Sequence, residues 1–238
     1  SIVDLASRWV GKFKSSAEWA RDVGYHASIK RIGMSGSGRP LLSAVVGTGK
    51  RQATLVAGAH ADEPVGPETL RLIVTSALRH DPALENLLRR WKLWIVPHVN
   101  PDCEQANFGW IKRWPSIEAY LRCVLREPPG RDLEFGFPAM RQENAILTAF
   151  LARAAPVRLH ASLHGMGFGQ GAQLLINRRW VARTRLMQSA FAREVSLCGV
   201  GLHDEDRFGE KGFHYIGPGF ATTPTGAAMR EHFRVNGD

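Results

Sequence analysis

The chain has 238 residues, enough for one ordinary domain with a full core, and its 44% hydrophobic and 22% charged residues exclude a disordered or fibrous chain. Lys and Arg total 31 against 22 acidic residues, but they are scattered, so the net charge of +9 reads as a solvated basic surface before a patch for nucleic acid or an anionic polymer. Cys103, Cys123 and Cys198 have no C-x-x-C spacing, which argues against a disulfide framework and a cysteine zinc site; no apolar run approaches the roughly 20 residues of a membrane span. A single domain over residues 1–238, with no linker, no membrane partner and no nucleic-acid partner, is therefore expected. The odd cysteine count and the lack of a visible signal peptide lean towards a reducing, cytoplasmic compartment, although a chain beginning at Ser1 leaves export open.

Residues 4–22 carry Leu5, Trp9, Val10, Phe13, Ala17 and Ala20 at helical intervals, and predict an amphipathic helix with Gly24 just beyond it. Residues 41–46 form the first predicted strand, closed by Gly47-Thr48-Gly49-Lys50, and residues 54–59 follow as its neighbour. Pro67 suits the start of a helix that runs through Leu78. Asp81-Pro82 opens another short helix, and residues 91–99 read as a strand. From 101 to 138 the chain is rich in Trp, Arg, Pro and Gly without a period, which predicts a functional loop region. A helix over 139–154, strands over 157–163 and 172–177, and a long helix over 180–197 come next. Gly217-Pro218-Gly219-Phe220 leads into a last strand near Thr222, and a helix over 225–233 closes the chain. Strands alternating with helices imply an α/β fold, a mainly parallel sheet covered on both faces.

Two of these strands end in chemistry. Thr54-Leu55-Val56-Ala57-Gly58-Ala59 runs into His60-Ala61-Asp62-Glu63, placing an imidazole and a carboxylate three residues apart at a strand end. Both are good zinc ligands, and a catalytic zinc takes three protein ligands and leaves one position open. The third is His164, where Val157–Leu163 gives way to His164-Gly165. An H-x-x-E pair is common by chance. Two strand-to-glycine junctions that each end in His are more specific, and the carboxyl ends of strands in an open α/β sheet meet in one crevice. His160 shares a strand face with His164 but reads as a neighbour or a buried imidazole rather than a ligand. Asp102, following Asn100-Pro101, suits either a turn or a hydrogen bond to a ligand histidine. Asp62 points away from the ligands in this reading. His203-Asp204-Glu205-Asp206 reads as an acidic solvated loop before a second metal site.

These segments resemble the carboxypeptidase A-type zinc metallocarboxypeptidases. Residues 58–66 are similar to that family's first zinc motif, and Ser162-Leu163-His164-Gly165 to its third-ligand segment. Ser37-Gly38-Arg39-Pro40-Leu41 resembles the lead-in strand, Val99-Asn100-Pro101-Asp102 the "NPDG" turn, and Gly130-Arg131-Asp132-Leu133-Glu134-Phe135-Gly136-Phe137-Pro138 the "GVDLNRNFP" segment. The resemblance covers residues 35–232. It implies a three-layer α/β fold with a mixed, mainly parallel twisted sheet, one zinc ion on His60, Glu63 and His164, and cleavage of an amide bond in a peptide or peptide-like substrate. The related succinylglutamate desuccinylase and aspartoacylase branch implies a small N-acyl amino acid instead.

The chain departs from this pattern in two places. The family's catalytic Glu lies in a segment like "F-T-x-E-T-P"; here Phe220-Ala221-Thr222-Thr223-Pro224 places Thr222 in that slot, and a hydroxyl is no base at neutral pH. Glu134 is the candidate replacement, with Glu231 a helix-surface rival. The Asn-Arg pair that holds a substrate carboxylate is replaced by Glu134 and Phe135, which suit a cationic or neutral group. Arg113 lies near the family's oxyanion-stabilising arginine, with Lys112 as a rival, and Tyr215 resembles its mobile tyrosine. Loss of the catalytic Glu motivates a second reading, a zinc-retaining binding protein without turnover. The Trp and Arg residues of 108–114 motivate a weaker third, a nucleic-acid-binding domain.

Overall fold

The computed structural model describes residues 11–24, 26–128, 132–135, 140–165 and 169–236. The chain forms two compact units, Ser1–Gly165 and Met166–Asp238.

The first unit is built on a five-stranded sheet. Its strands are β1 (Ile29–Met34), β2 (Pro40–Val46), β3 (Arg51–Ala57), β4 (Trp91–Val96) and β5 (Val157–Leu163), in the spatial order β1-β2-β4-β3-β5. The sheet is mixed, as expected. Parallel pairing is confined to β3 and its neighbours β4 and β5, whereas β1, which the sequence pattern did not reveal, and β2 add antiparallel pairs at one side. Register brings the strand ends abreast: Val56 faces Val96 and Ala57 faces Leu163.

Strands covered on both faces send alternate side chains to different layers. Ala53, Ala57, Leu93, Ile95, Ala44 and Val46 join Leu70, Val74 and Ala77 of α2 (Val65–Leu78) and Leu84 of α3 (Pro82–Arg90) in one core. Val56, Trp94 and Val96 turn the other way onto Phe150 of α6 (Gln142–Ala152). This is the three-layer arrangement the sequence implies. Leu70, Val74 and Ala77 lie at the i, i+4, i+7 positions of one helical face. Gly66 lets α2 begin close over the end of β5, because a Cβ there would stand 2.8 Å from the Leu163 carbonyl oxygen.

Several boundaries differ from the sequence reading. Helix α1 covers only Ser16–Asp22, starting from a capping box in which Ser15 and Glu18 satisfy each other's backbone N–H groups; the predicted residues before position 11 lie outside the described residues. The predicted loop over 101–138 contains α4 (Pro101–Ile111) and α5 (Ile117–Cys123). Helix α4 escaped notice because its buried face is partly polar: Glu104, Asn107, Trp110 and Ile111 point inward. Glu104 pairs with Arg71 of α2, and Asn107 holds the backbone of Leu125 through both a donor and an acceptor. An apolar period cannot register such a face. Asn100 caps α4 by accepting the Cys103 N–H, so the segment read as a turn is a helix start.

In the second unit β6 (Leu174–Ile176), β7 (Tyr215–Gly217) and β8 (Phe220–Thr222) form a three-stranded sheet in the order β6-β8-β7. The predicted long helix is a 3-10 turn, Arg178–Thr184, followed by α7 (Arg185–Leu197), and Phe191 of α7 meets Phe220 edge-on. Helix α8 (Gly226–Asn236) ends the described chain. Among the described residues, no helix is long and apolar enough to cross a membrane.

Candidate metal centre

Three features of the chain deliver the site. β3 ends at Ala57, and Gly58 turns the backbone at φ 75°, a conformation most side chains resist; a Cβ there would also stand 2.6 Å from the His98 ring. His98 is fully buried, and burial lowers its pKa to about 4, so it packs here as a neutral imidazole. The chain next makes a tight turn in which the Glu63 N–H donates to the His60 carbonyl, and α2 begins two residues later. On the adjacent strand β5, His164 follows Leu163 directly.

The result is a convergence of His60, Glu63 and His164, whose donor atoms all lie within 4.8 Å of one another. Glu63 spans the two imidazoles: Oε1 is 3.0 Å from His60 Nδ1, and Oε2 is 3.1 Å from His164 Nδ1. The Gly165 N–H donates to the same Oε2 at 3.0 Å. Glu63 is buried, and the two rings are 5.0 Å apart at a tilt of 56°. A second group shares His60: its Nε2 lies 3.6 Å from Asp132 and 3.4 Å from Glu134.

Charges of both signs meet in this cluster. Burial disfavours the charged form of His60, but Asp132, Glu134 and Glu63 outweigh it and raise its pKa to about 11. His164 is raised to about 9 against the same desolvation, by Glu134 and Glu63. Burial alone would raise Glu63, yet hydrogen bonds from His164 and His60 bring it down to about 2. Glu134, likewise opposed by burial, is held well below the usual carboxylate range by His164 and His60. Two imidazoles and one carboxylate are the donor set of catalytic zinc sites that keep an open position, so the residues present fit that metal.

Residues 18–165, more than half of the chain, match the family model for zinc carboxypeptidase. The chain belongs to the zinc carboxypeptidase family. Carboxypeptidase B of Astacus astacus is 24% identical over 102 residues, which is 42% of this chain and 34% of that protein. Among solved structures, carboxypeptidase A from Helicoverpa armigera is similar with a TM-score of 0.53 at 15% identity, covering 81% of this chain and 58% of that one. A metallo-carboxypeptidase from Pseudomonas aeruginosa is similar with a TM-score of 0.53 at 16% identity, over 91% and 54% of the two chains. Those likenesses are of fold alone, and this chain spans little more than half the length of the two structures.

The zinc carboxypeptidase motifs fall unevenly around the cluster. His160 stays outside it, its Nδ1 2.8 Å from the Thr54 hydroxyl. Arg113 is turned onto its own surroundings: Nε donates to the Gly109 carbonyl, and Nη2 lies 3.7 Å from Cys123 Sγ. The guanidinium that does meet the cluster is Arg126, which sequence reasoning missed; Nη1 is 3.1 Å from Asp62 and Nη2 is 3.2 Å from Glu63. It sits in irregular chain after α5, where no period marks it, and the available signal was its position a few residues before Asp132-Leu133-Glu134. Asp62, expected to point away, is held by this arginine. Asp102 accepts from the Ser35 hydroxyl and the Ser37 N–H, bracing the β1–β2 turn rather than a ligand histidine.

Glu134 is placed by a 3-10 turn, Leu133–Phe135, in which its N–H donates to Asp132 Oδ1 at 2.9 Å. The Phe135 side chain and residues 136–139 lie outside the described residues. The remaining sequence candidates belong to the second unit. Tyr215 donates its hydroxyl to Asp204 at 2.5 Å, and Glu231 pairs with Arg234 on α8. Thr222 is buried in β8, where its hydroxyl accepts the His214 N–H. His203 approaches Glu205 at 3.6 Å but joins neither metal-capable group among the described residues.

Proposed function

We propose that this chain is a zinc-dependent metallocarboxypeptidase-like hydrolase that cleaves an amide bond in a peptide or peptide-like substrate, with one zinc ion on His60, Glu63 and His164. The observation that carries the reading is the convergence of those three donors at two adjacent parallel strand ends. When bound, zinc polarises a carbonyl and lowers the pKa of its water. The chain's own residues supply the rest. Arg126, half exposed beside Glu63, takes the role the sequence pattern offered to Arg113: a guanidinium fork that meets the carbonyl oxygen as negative charge grows on it.

Specificity follows from what replaces the family's Asn-Arg pair. Glu134 and Phe135 do not hold an anion, so the favoured substrates end in a neutral or cationic group, as amidated peptides do, rather than in an ordinary free carboxylate. Glu134 is also engaged by both histidines, at 3.0 Å from His164 Nε2 and 3.4 Å from His60 Nε2, rather than free to take the proton of the attacking water. With Thr222 in the usual slot, turnover falls below that of a relative with the carboxylate by about 10²–10⁴-fold, the contribution of general base catalysis. That same threonine favours a second reading, a zinc-retaining protein that binds peptide ends without cleaving them.

A panel of peptides, amidated peptides and N-acyl amino acids, assayed with zinc loaded and with zinc chelated, separates the two. Chelator-sensitive cleavage supports the hydrolase. A folded, zinc-loaded protein that binds members of the panel but cleaves none supports the binding role.

A further inference from the structure

Each ligand imidazole is gripped on both edges by a carboxylate. Glu63 takes the Nδ1 edges. The opposite edges belong to Glu134, whose Oε1 is 3.0 Å from His164 Nε2 and whose Oε2 is 3.4 Å from His60 Nε2. One side chain therefore bridges the outer nitrogens of two histidines that come from different strands. The other groups on those nitrogens are Asp132, 3.6 Å from His60 Nε2, and the Ser162 hydroxyl, 3.0 Å from His164 Nε2.

The metal belongs on the Nδ1 side. The three donors His60, Glu63 and His164 form a compact group there, Glu63 is buried, and the Gly165 N–H fixes the carboxylate. The group on the other side lacks His164. A neutral imidazole that coordinates through Nδ1 carries its one proton on Nε2, and that N–H needs an acceptor, which in turn sets the tautomer and the ring orientation. Glu134 offers one oxygen to each. Its own position is fixed from two directions: its N–H donates to Asp132 Oδ1, and the Asn144 side chain donates to the Leu133 carbonyl one residue earlier, at 2.7 Å.

We infer that Glu134 is a positioning residue that holds both zinc-ligand histidines by their Nε2–H groups, presenting both Nδ1 atoms to the metal together. This rests on the zinc reading above. The side chain is thereby engaged within the metal centre, and substrate ends meet a carboxylate already committed to two histidines.

The test combines zinc affinity with histidine ring nitrogen NMR on the full chain. In the zinc-loaded wild type, His60 and His164 should both show coordinated Nδ1 and protonated Nε2. Glu134→Ala should weaken zinc binding by about 10–100-fold, the usual cost of losing such a partner, while circular dichroism stays unchanged. Glu134→Gln keeps one acceptor oxygen but brings an amide donor against the second Nε2–H, so it should fall between the two. Zinc affinity in Glu134→Ala within about threefold of wild type, or coordination through Nε2 in the wild type, overturns the inference and leaves the zinc reading standing. A wild-type chain that binds no stoichiometric zinc overturns both. The nitrogen assignment is made on the wild type, so a misfolded variant does not shield the inference.

Discussion

Zinc must displace protons to enter this site, and the structure sets how many. Metal-free His60 and His164 have pKa values of about 11 and about 9, raised from an ordinary 6.5, so at pH 7 both are charged, whereas Glu63 at about 2 is already ionised. Each imidazole gives up one proton to become a ligand, so binding releases two. By mass action the apparent zinc affinity should rise about a hundredfold for each pH unit between 6 and 8, a tenfold factor per proton displaced. The slope should flatten only at higher pH, where the two imidazoles lose their protons without the metal. Competition with a chelator of known proton affinity measures the slope, and calorimetry in buffers of different ionisation enthalpy counts the protons. Fewer than one proton released per zinc near pH 7 would refute the idea that both imidazoles are charged in the metal-free cluster. The fold's stability follows the same equilibria. The raised imidazoles stabilise the metal-free protein fully below about 6.5, and that contribution is lost as the pH climbs through about 9 to 11. Glu63, depressed from 4.5, stabilises it above that value and loses the effect as the pH falls through about 2. The difference in Tm between loaded and metal-free protein should accordingly widen as the pH rises from neutral.

Two further outcomes follow from particular contacts. His164→Ala should abolish stoichiometric zinc, measured by elemental analysis, while His160→Ala should retain it, because His160 is turned onto Thr54; equal loss in both would mean that the ligand face of β5 is misassigned. Arg71→Met strands the buried Glu104 carboxylate without its guanidinium, which should cost about 3–5 kcal/mol and lower Tm by about 10 °C; a drop under about 3 °C would show that the pair is not what holds α4 against α2.

The three converging donors His60, Glu63 and His164 were legible because their signals are local. A strand that runs into a histidine with glycine close by is read within a dozen residues, and the pattern occurs twice. The helical layer of α2 and the strands β2 to β4 were legible because covering both faces of a sheet leaves largely apolar runs, whereas β5, mostly exposed, was legible from its run into His164-Gly165. Helix α4 was not, because Glu104 and Asn107 occupy its inner face, and their burial becomes possible only once Arg71 and the Leu125 backbone arrive from elsewhere in the chain.

By itself, the sequence determined the family, the two strand ends that carry His60, Glu63 and His164, and the departures at Thr222, Glu134 and Phe135. Only the tertiary structure decided that Arg126 rather than Arg113 meets the carboxylates, and that Glu134 turns back onto both histidines instead of standing free in a pocket. The physical reason is reach. A ligand motif is written along a few consecutive residues, whereas the groups that charge and orient it are chosen by where distant turns and helix ends bring their side chains, and no local pattern records that meeting.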